Sequence, residues 1–109
     1  MSGWIGVDLD GTLAHYSGWK GIEHIGEPIP KMLAQVNEWL EQGRDVKIFT
    51  ARVSVTGPLR EEAIDYIHRW CKKHGLPALE VTNVKDFGMV ELYDDRAFNV
   101  RPNTGEIVR

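Results

Sequence analysis

A chain of 109 residues is the size of one domain and leaves no room for a second. Apolar residues make up 42% and charged ones 27%, a globular balance, and 13 basic against 16 acidic residues give a net charge of −3, which argues against a surface that binds nucleic acid or anionic membrane throughout. The single cysteine, Cys71, excludes an internal disulfide and a thiolate metal cluster, and neither a membrane-length apolar run nor a secretory leader is legible, so the expectation is a reduced, cytoplasmic, soluble domain spanning residues 1–109.

The first apolar segment, Trp4-Ile5-Gly6-Val7, has no polar alternation and reads as a strand covered on both faces of a parallel sheet. It ends abruptly in Asp8-Leu9-Asp10-Gly11-Thr12. Residues 13–30 are aperiodic and rich in glycine and proline, which predicts a long loop, a flap over whatever site lies nearby. Pro30 opens a helix with Met32, Leu33, Val36, Trp39 and Leu40 on one face, and Gly43 stops it. Asp45–Phe49 is a second strand, followed by Thr50-Ala51-Arg52. Gly57-Pro58 opens a second helix whose apolar face is Leu59, Ala63, Ile64, Ile67, Trp70 and Cys71, with Gly75 as its stop. Leu79–Thr82 is a weaker third strand. Met89–Tyr93 is a fourth, running into Asp94-Asp95. A turn signal at Asn103-Thr104-Gly105 joins Phe98–Arg101 to Glu106–Val108 as a terminal hairpin. Strands alternating with helices predict an α/β fold, a Rossmann-like parallel sheet in three layers with helices on both faces.

On that frame Asp8, Asp10, Thr50, Lys85, Asp94 and Asp95 all fall at or just beyond the carboxyl ends of strands, where open parallel sheets bind ligands. Carboxylates from Asp8 and Asp94 suit a hard cation, and Mg²⁺ takes one or two carboxylates together with water and phosphate. With no histidine or cysteine in the set, zinc is a poor fit. A lysine and a threonine hydroxyl facing the same crevice would hold phosphoryl oxygens, and a carboxylate can itself be the nucleophile.

Asp8-Leu9-Asp10-Gly11-Thr12-Leu13, Thr50, Lys85 and Asp94-Asp95 together resemble the four ordered motifs of the haloacid dehalogenase superfamily, mostly Mg²⁺-dependent phosphohydrolases. The resemblance spans residues 4–95 and implies a phosphatase. In it Asp8 attacks phosphorus, Asp10 serves as acid and then base, Thr50 binds the phosphoryl group and Lys85 steadies that group and Asp8. It also implies Mg²⁺ held by Asp8, the Asp10 carbonyl and Asp94, with Asp95 close by. The superfamily often inserts a cap domain between its motifs. No cap fits here, so the chain resembles a minimal capless member.

Several residues admit two readings. Arg52 and Arg96 each follow a motif residue and either reach substrate or hold a loop through an ion pair. Trp19 on the flap stacks on a substrate ring or anchors the loop. The expected partner is a phosphorylated substrate, such as a nucleotide or a nucleic-acid terminal phosphate, rather than an extended duplex. A homo-oligomer is one way to cover an uncapped site. Two rival functions fit the residues less well. A phosphorylated receiver carries a lone phospho-acceptor aspartate after a middle strand, with threonine and lysine after later strands, whereas here the acid pair Asp94-Asp95 comes last, after Lys85. A catalytically idle phosphate- or metal-binding module would tolerate loss of motif residues, and none is lost.

Overall fold

In a computed structural model, residues 2–109 are described. The β1 strand (Trp4–Asp8) is flanked by β2 (Asp45–Phe49) and β4 (Met89–Tyr93), and the two-residue β3 (Val81–Thr82) lies outside β2, giving a parallel sheet in the order β3-β2-β1-β4. The strand buried between two others is the one with no polar alternation, because water reaches neither of its faces. The α1 helix (Pro30–Glu41) joins β1 to β2, and α2 (Gly57–Lys73) joins β2 to β3. Both helices carry proline in the first turn, where its missing N–H is no loss. Lys72 and Lys73 end α2, next to its exposed carbonyls.

Val36 and Trp39 of α1, and Ala63, Ile67, Trp70 and Cys71 of α2, form one buried cluster with Ile5, Val7, Val46 and Ile48 of the sheet. Trp4 is buried too but lies outside that cluster, capped by the Lys47 ammonium at 4.6 Å and donating from its indole to Asp86 at 2.9 Å. The helices therefore cover a single face. This corrects the expectation of helices on both faces: among the described residues the opposite face has no helical layer. The reason is topological, since two right-handed crossovers stepping the same way, β1 to β2 to β3, deposit both helices on one side.

The return from β3 to β4 uses only residues 83–88 and no helix. These six residues run from one edge of the sheet to the other and from the carboxyl end of β3 to the amino end of β4, so they are stretched across the sheet. The terminal hairpin forms as expected, β5 (Asn99–Val100) against β6 (Ile107–Val108), as a separate two-stranded sheet.

The flap at residues 13–30 has little regular structure but is tied down. Leu13 and Ala14 are fully buried, His15 N–H donates to the Glu27 carbonyl at 2.8 Å, and the Trp70 indole donates to the Gly26 carbonyl at 2.9 Å. A side chain at Gly26 would put its Cβ 2.1 Å from the His15 carbonyl, so the two strands of the flap close this tightly only with glycine there.

Candidate active site

The register pairs Asp8 with Phe49 and Val7 with Tyr93, so β1, β2 and β4 all end at one level. The residues just past those ends, Thr50 and Asp94-Asp95, therefore surround Asp8. Together with the flap and the start of α2 they line a cleft of about 510 Å³ that includes Asp8, Asp10, Trp19, Thr50, Arg52, Asp94, Asp95 and Arg96. That is the size of a small-molecule site.

Carboxylate oxygens of Asp8, Asp94 and Asp95 lie within 4.8 Å of one another. Loss of water on burial, the hydrogen bond with Asp95, and then the charges of Asp94 and Asp95 push the Asp8 carboxyl up from 3.8 to about 7, opposed only by the Leu9 N–H. Asp95 moves the other way, held low first by that same hydrogen bond and then by Thr12. The two titrate as one coupled pair, in which Asp8 is the member pushed up and Asp95 the member held down. The Thr12 hydroxyl bridges them, 3.5 Å from Asp8 Oδ2 and 3.1 Å from Asp95 Oδ1, and accepts from the Asp95 N–H at 3.0 Å. Thr12 belongs in the site, although its motif position alone gave it no role.

Gly11 explains the tightness of this corner. Its φ is +92°, and a Cβ there would meet the Asp95 carboxylate at 2.7 Å. Gly11→Ala is expected to cost about 1–3 kcal/mol in stability through backbone strain and to push Asp95 off Thr12. A melting curve checks the stability loss, and an unchanged pH dependence of melting would show that Asp95 had not moved.

Arg52 sits in a single turn of 3₁₀ helix, Ala51–Val53, and is 9% exposed. It donates from Nε to Asp10 Oδ2 at 2.7 Å and from Nη2 to Asp10 Oδ1 at 2.8 Å. The same guanidinium donates to the flap carbonyls of Ile22 at 3.3 Å and His24 at 2.9 Å, and its carbon lies 4.8 Å from the centroid of the Trp19 ring. Of the two readings of Arg52, the ion pair is the one realised: it orients Asp10 and clamps the flap rather than presenting a free charge to substrate. Thr50, 2% exposed, accepts the Arg52 N–H at 3.1 Å, which leaves its hydroxyl proton to donate into the cleft. Arg96 lines the cleft, and its N–H holds Asp94 Oδ1 at 2.8 Å.

Lys85 does not line the cleft. It is exposed in the stretched 83–88 crossing, and the next residue, Asp86, already accepts from Trp4 at the amino end of β1. Four strand steps, about 13 Å, separate that end from Asp8. The position assigned to Lys85 beside Asp8 is thus corrected: the short return to β4 carries it toward the opposite end of the sheet. Leu59 also departs from expectation. Its helical spacing predicts the core face of α2, but it is 45% exposed and lines the cleft, together with Tyr16, Ile22, Phe49 and Val55. An apolar residue in the first turn of a helix looks the same in sequence whether it faces core or cleft.

No family model matches this chain, and no curated protein matches it. Among solved structures, a conserved protein from Bacteroides thetaiotaomicron is similar in fold, with a TM-score of 0.60 and 22% identity over 89% of this chain and 78% of that one. The likeness supports the α/β architecture with its parallel sheet and, at that identity, the fold alone. No helix among the described residues is long and apolar enough to cross a membrane.

Proposed function

We infer that the protein is a Mg²⁺-dependent phosphomonoester hydrolase of the haloacid dehalogenase type, working through an aspartyl-phosphate on Asp8. The observation that carries this reading is the crowding of Asp8, Asp94 and Asp95 within 4.8 Å at the ends of β1 and β4, with Asp10 held two residues beyond the nucleophile. Three carboxyls this close retain a proton or take a cation. All donors are oxygens, as a hard cation requires, so Asp8 with Asp94 or Asp95, and the Asp10 carbonyl by resemblance, would hold Mg²⁺. When bound, Mg²⁺ would offset the charge of the carboxylates and of an incoming phosphate dianion.

The chain's own groups then divide the work. The Asp8 carboxylate attacks phosphorus as the ester oxygen departs with a proton carried by Asp10, which must first release one oxygen from Arg52 to hold that proton. The Thr50 hydroxyl donates to a phosphoryl oxygen. Asp10 next takes a proton from water, which attacks phosphorus and releases phosphate and free Asp8. Arg96, rather than Lys85, is the cation positioned to meet phosphate charge.

Hydrolysis of an aryl phosphate should require Mg²⁺, stop on chelation and recover when the ion is returned. Asp94→Asn should raise the Mg²⁺ concentration needed by about tenfold, equivalent to about 1.4 kcal/mol of binding. Full activity after exhaustive chelation would exclude the metal-assisted route. One observation favours a second reading, a phosphate-binding module without turnover: both Asp10 oxygens are engaged by Arg52. Phosphate binding with no measurable release from any ester would decide for it.

A further inference from the structure

The floor of the cleft is polar, but its outer wall is not. Tyr16 and Trp19 from the flap, with Val55 and Leu59 from the segment after β2, are between 36% and 57% exposed, and all four line the same cleft as Asp8. A phosphate dianion has no use for them, since Thr50, Arg96 and a cation held by the acids would supply its contacts. Exposed apolar side chains gathered beside a polar floor mark the part of a ligand that is not phosphate.

Trp19 is built as a platform rather than left as a loose loop residue. The Arg52 guanidinium lies against its ring, and Arg52 is itself fixed by Asp10 and by the carbonyls of Ile22 and His24. An indole pinned by a fixed cation loses little entropy when a second flat ring stacks on it. The charges of the cleft narrow the ligand further. Asp8, Asp10, Asp94 and Asp95 face Arg52 and Arg96, and Arg52 is already committed. A second phosphate on the substrate would meet Arg96 alone among four carboxyls.

The geometry points to a substrate whose leaving group carries one flat aromatic or heteroaromatic ring and no second phosphate, seated against Trp19, Tyr16, Val55 and Leu59. A nucleoside monophosphate has this chemistry; sugar phosphates, nucleoside diphosphates and nucleic-acid strands do not. This assignment rests on the phosphomonoesterase reading of the same cleft and makes Tyr16, Val55 and Leu59 determinants of specificity.

Turnover of adenosine monophosphate, glycerol phosphate and adenosine diphosphate by the full chain with Mg²⁺ tests it. The ratio of kcat/KM for adenosine monophosphate over glycerol phosphate should be about ten- to a hundredfold, and Tyr16→Ala and Leu59→Ser should each lower that ratio by about tenfold. Adenosine diphosphate should compete more weakly than the monophosphate. Equal kcat/KM for the two monoesters, or a ratio unmoved by both substitutions, overturns the ring subsite while leaving the phosphatase reading intact. Absence of turnover with every ester overturns the phosphatase reading instead. Calorimetric titration of adenosine monophosphate and glycerol phosphate into Asp8→Asn protein with Mg²⁺ then reads the subsite alone. Tighter binding of the nucleotide supports it and equal binding overturns it.

Discussion

Asp8→Asn is expected to abolish turnover while making the metal-free fold more stable. An amide keeps the shape of the carboxyl but is a poor nucleophile, so phosphate release should fall by about 10⁴–10⁶-fold, the scale seen when a covalent nucleophile is removed. The stability change follows from the raised carboxyl. The unfolded chain releases the Asp8 proton near 3.8, whereas the folded protein keeps it to about 7. Across that window the folded state binds more protons than the unfolded one, so stability falls as pH rises and stays low above about 7. Asparagine carries no charge and escapes this penalty. Above pH 7, without divalent cations, the variant should gain about 2 kcal/mol, half of what the displaced carboxyl would give if solvent did not screen the cleft. For a domain of this size that is a melting temperature raised by about 8 °C. At pH 4 the two proteins should melt together. Mg²⁺ should reverse the order at pH 8, stabilising wild type more than the variant, and should do less at pH 5 because protons compete for Asp8. Near-native activity in the variant, or identical melting at every pH, would remove Asp8 from the centre of the site.

The second large effect is expected at Arg52. Arg52→Ala leaves Asp10 without its charge partner and strips the Ile22 and His24 carbonyls of their donor in one step. Breaking a buried pair costs about 3–5 kcal/mol, and the Arg52 side chain is 5% exposed against 19% for Asp10. A melting temperature lower by about 12 °C or more is expected. Turnover should fall by about 10²-fold as Asp10 loses its orientation. Arg52→Lys should recover only part of either loss, since a single ammonium cannot span both carboxylate oxygens and both carbonyls. The flap supplies an independent readout. Lys20 lies within it, so trypsin should cut after Lys20 in Arg52→Ala protein well below the melting temperature, while wild type resists. A resistant flap with an unchanged melting curve would show that the clamp does not operate.

The two effects differ in sign because the pairs differ in chemistry. Asp8 is half-buried beside like charges and is relieved by neutralisation, whereas Asp10 faces an opposite charge and is stranded when that charge goes. The same contrast suits the proposed chemistry, in which Asp8 awaits a cation and a phosphorus atom, and Asp10 needs a fixed direction.

Much of the molecule was legible before folding. The order and type of the elements followed from the apolar run at Trp4–Val7, the 3.6-residue periodicity after Pro30 and Pro58, and the turn at Asn103–Gly105, which are local signals. The convergence of Asp8, Asp10, Thr50, Asp94 and Asp95 was legible too, because each lies at or just past the end of a strand, and parallel strands deliver their carboxyl ends to one edge. What tertiary structure alone decided depends on distances between segments remote in sequence. Strand order β3-β2-β1-β4 put both helices on one face, and no local pattern encodes strand order. Lys85 follows a strand like the others, but six residues had to cross the whole sheet, and that span pulled it away from Asp8. Arg52 had equal claims as substrate ligand and as loop clamp until the flap carbonyls of Ile22 and His24 came within hydrogen-bonding distance. Once they did, a planar group with donors on every edge was satisfied more fully by fixed protein acceptors than by an exchangeable ligand.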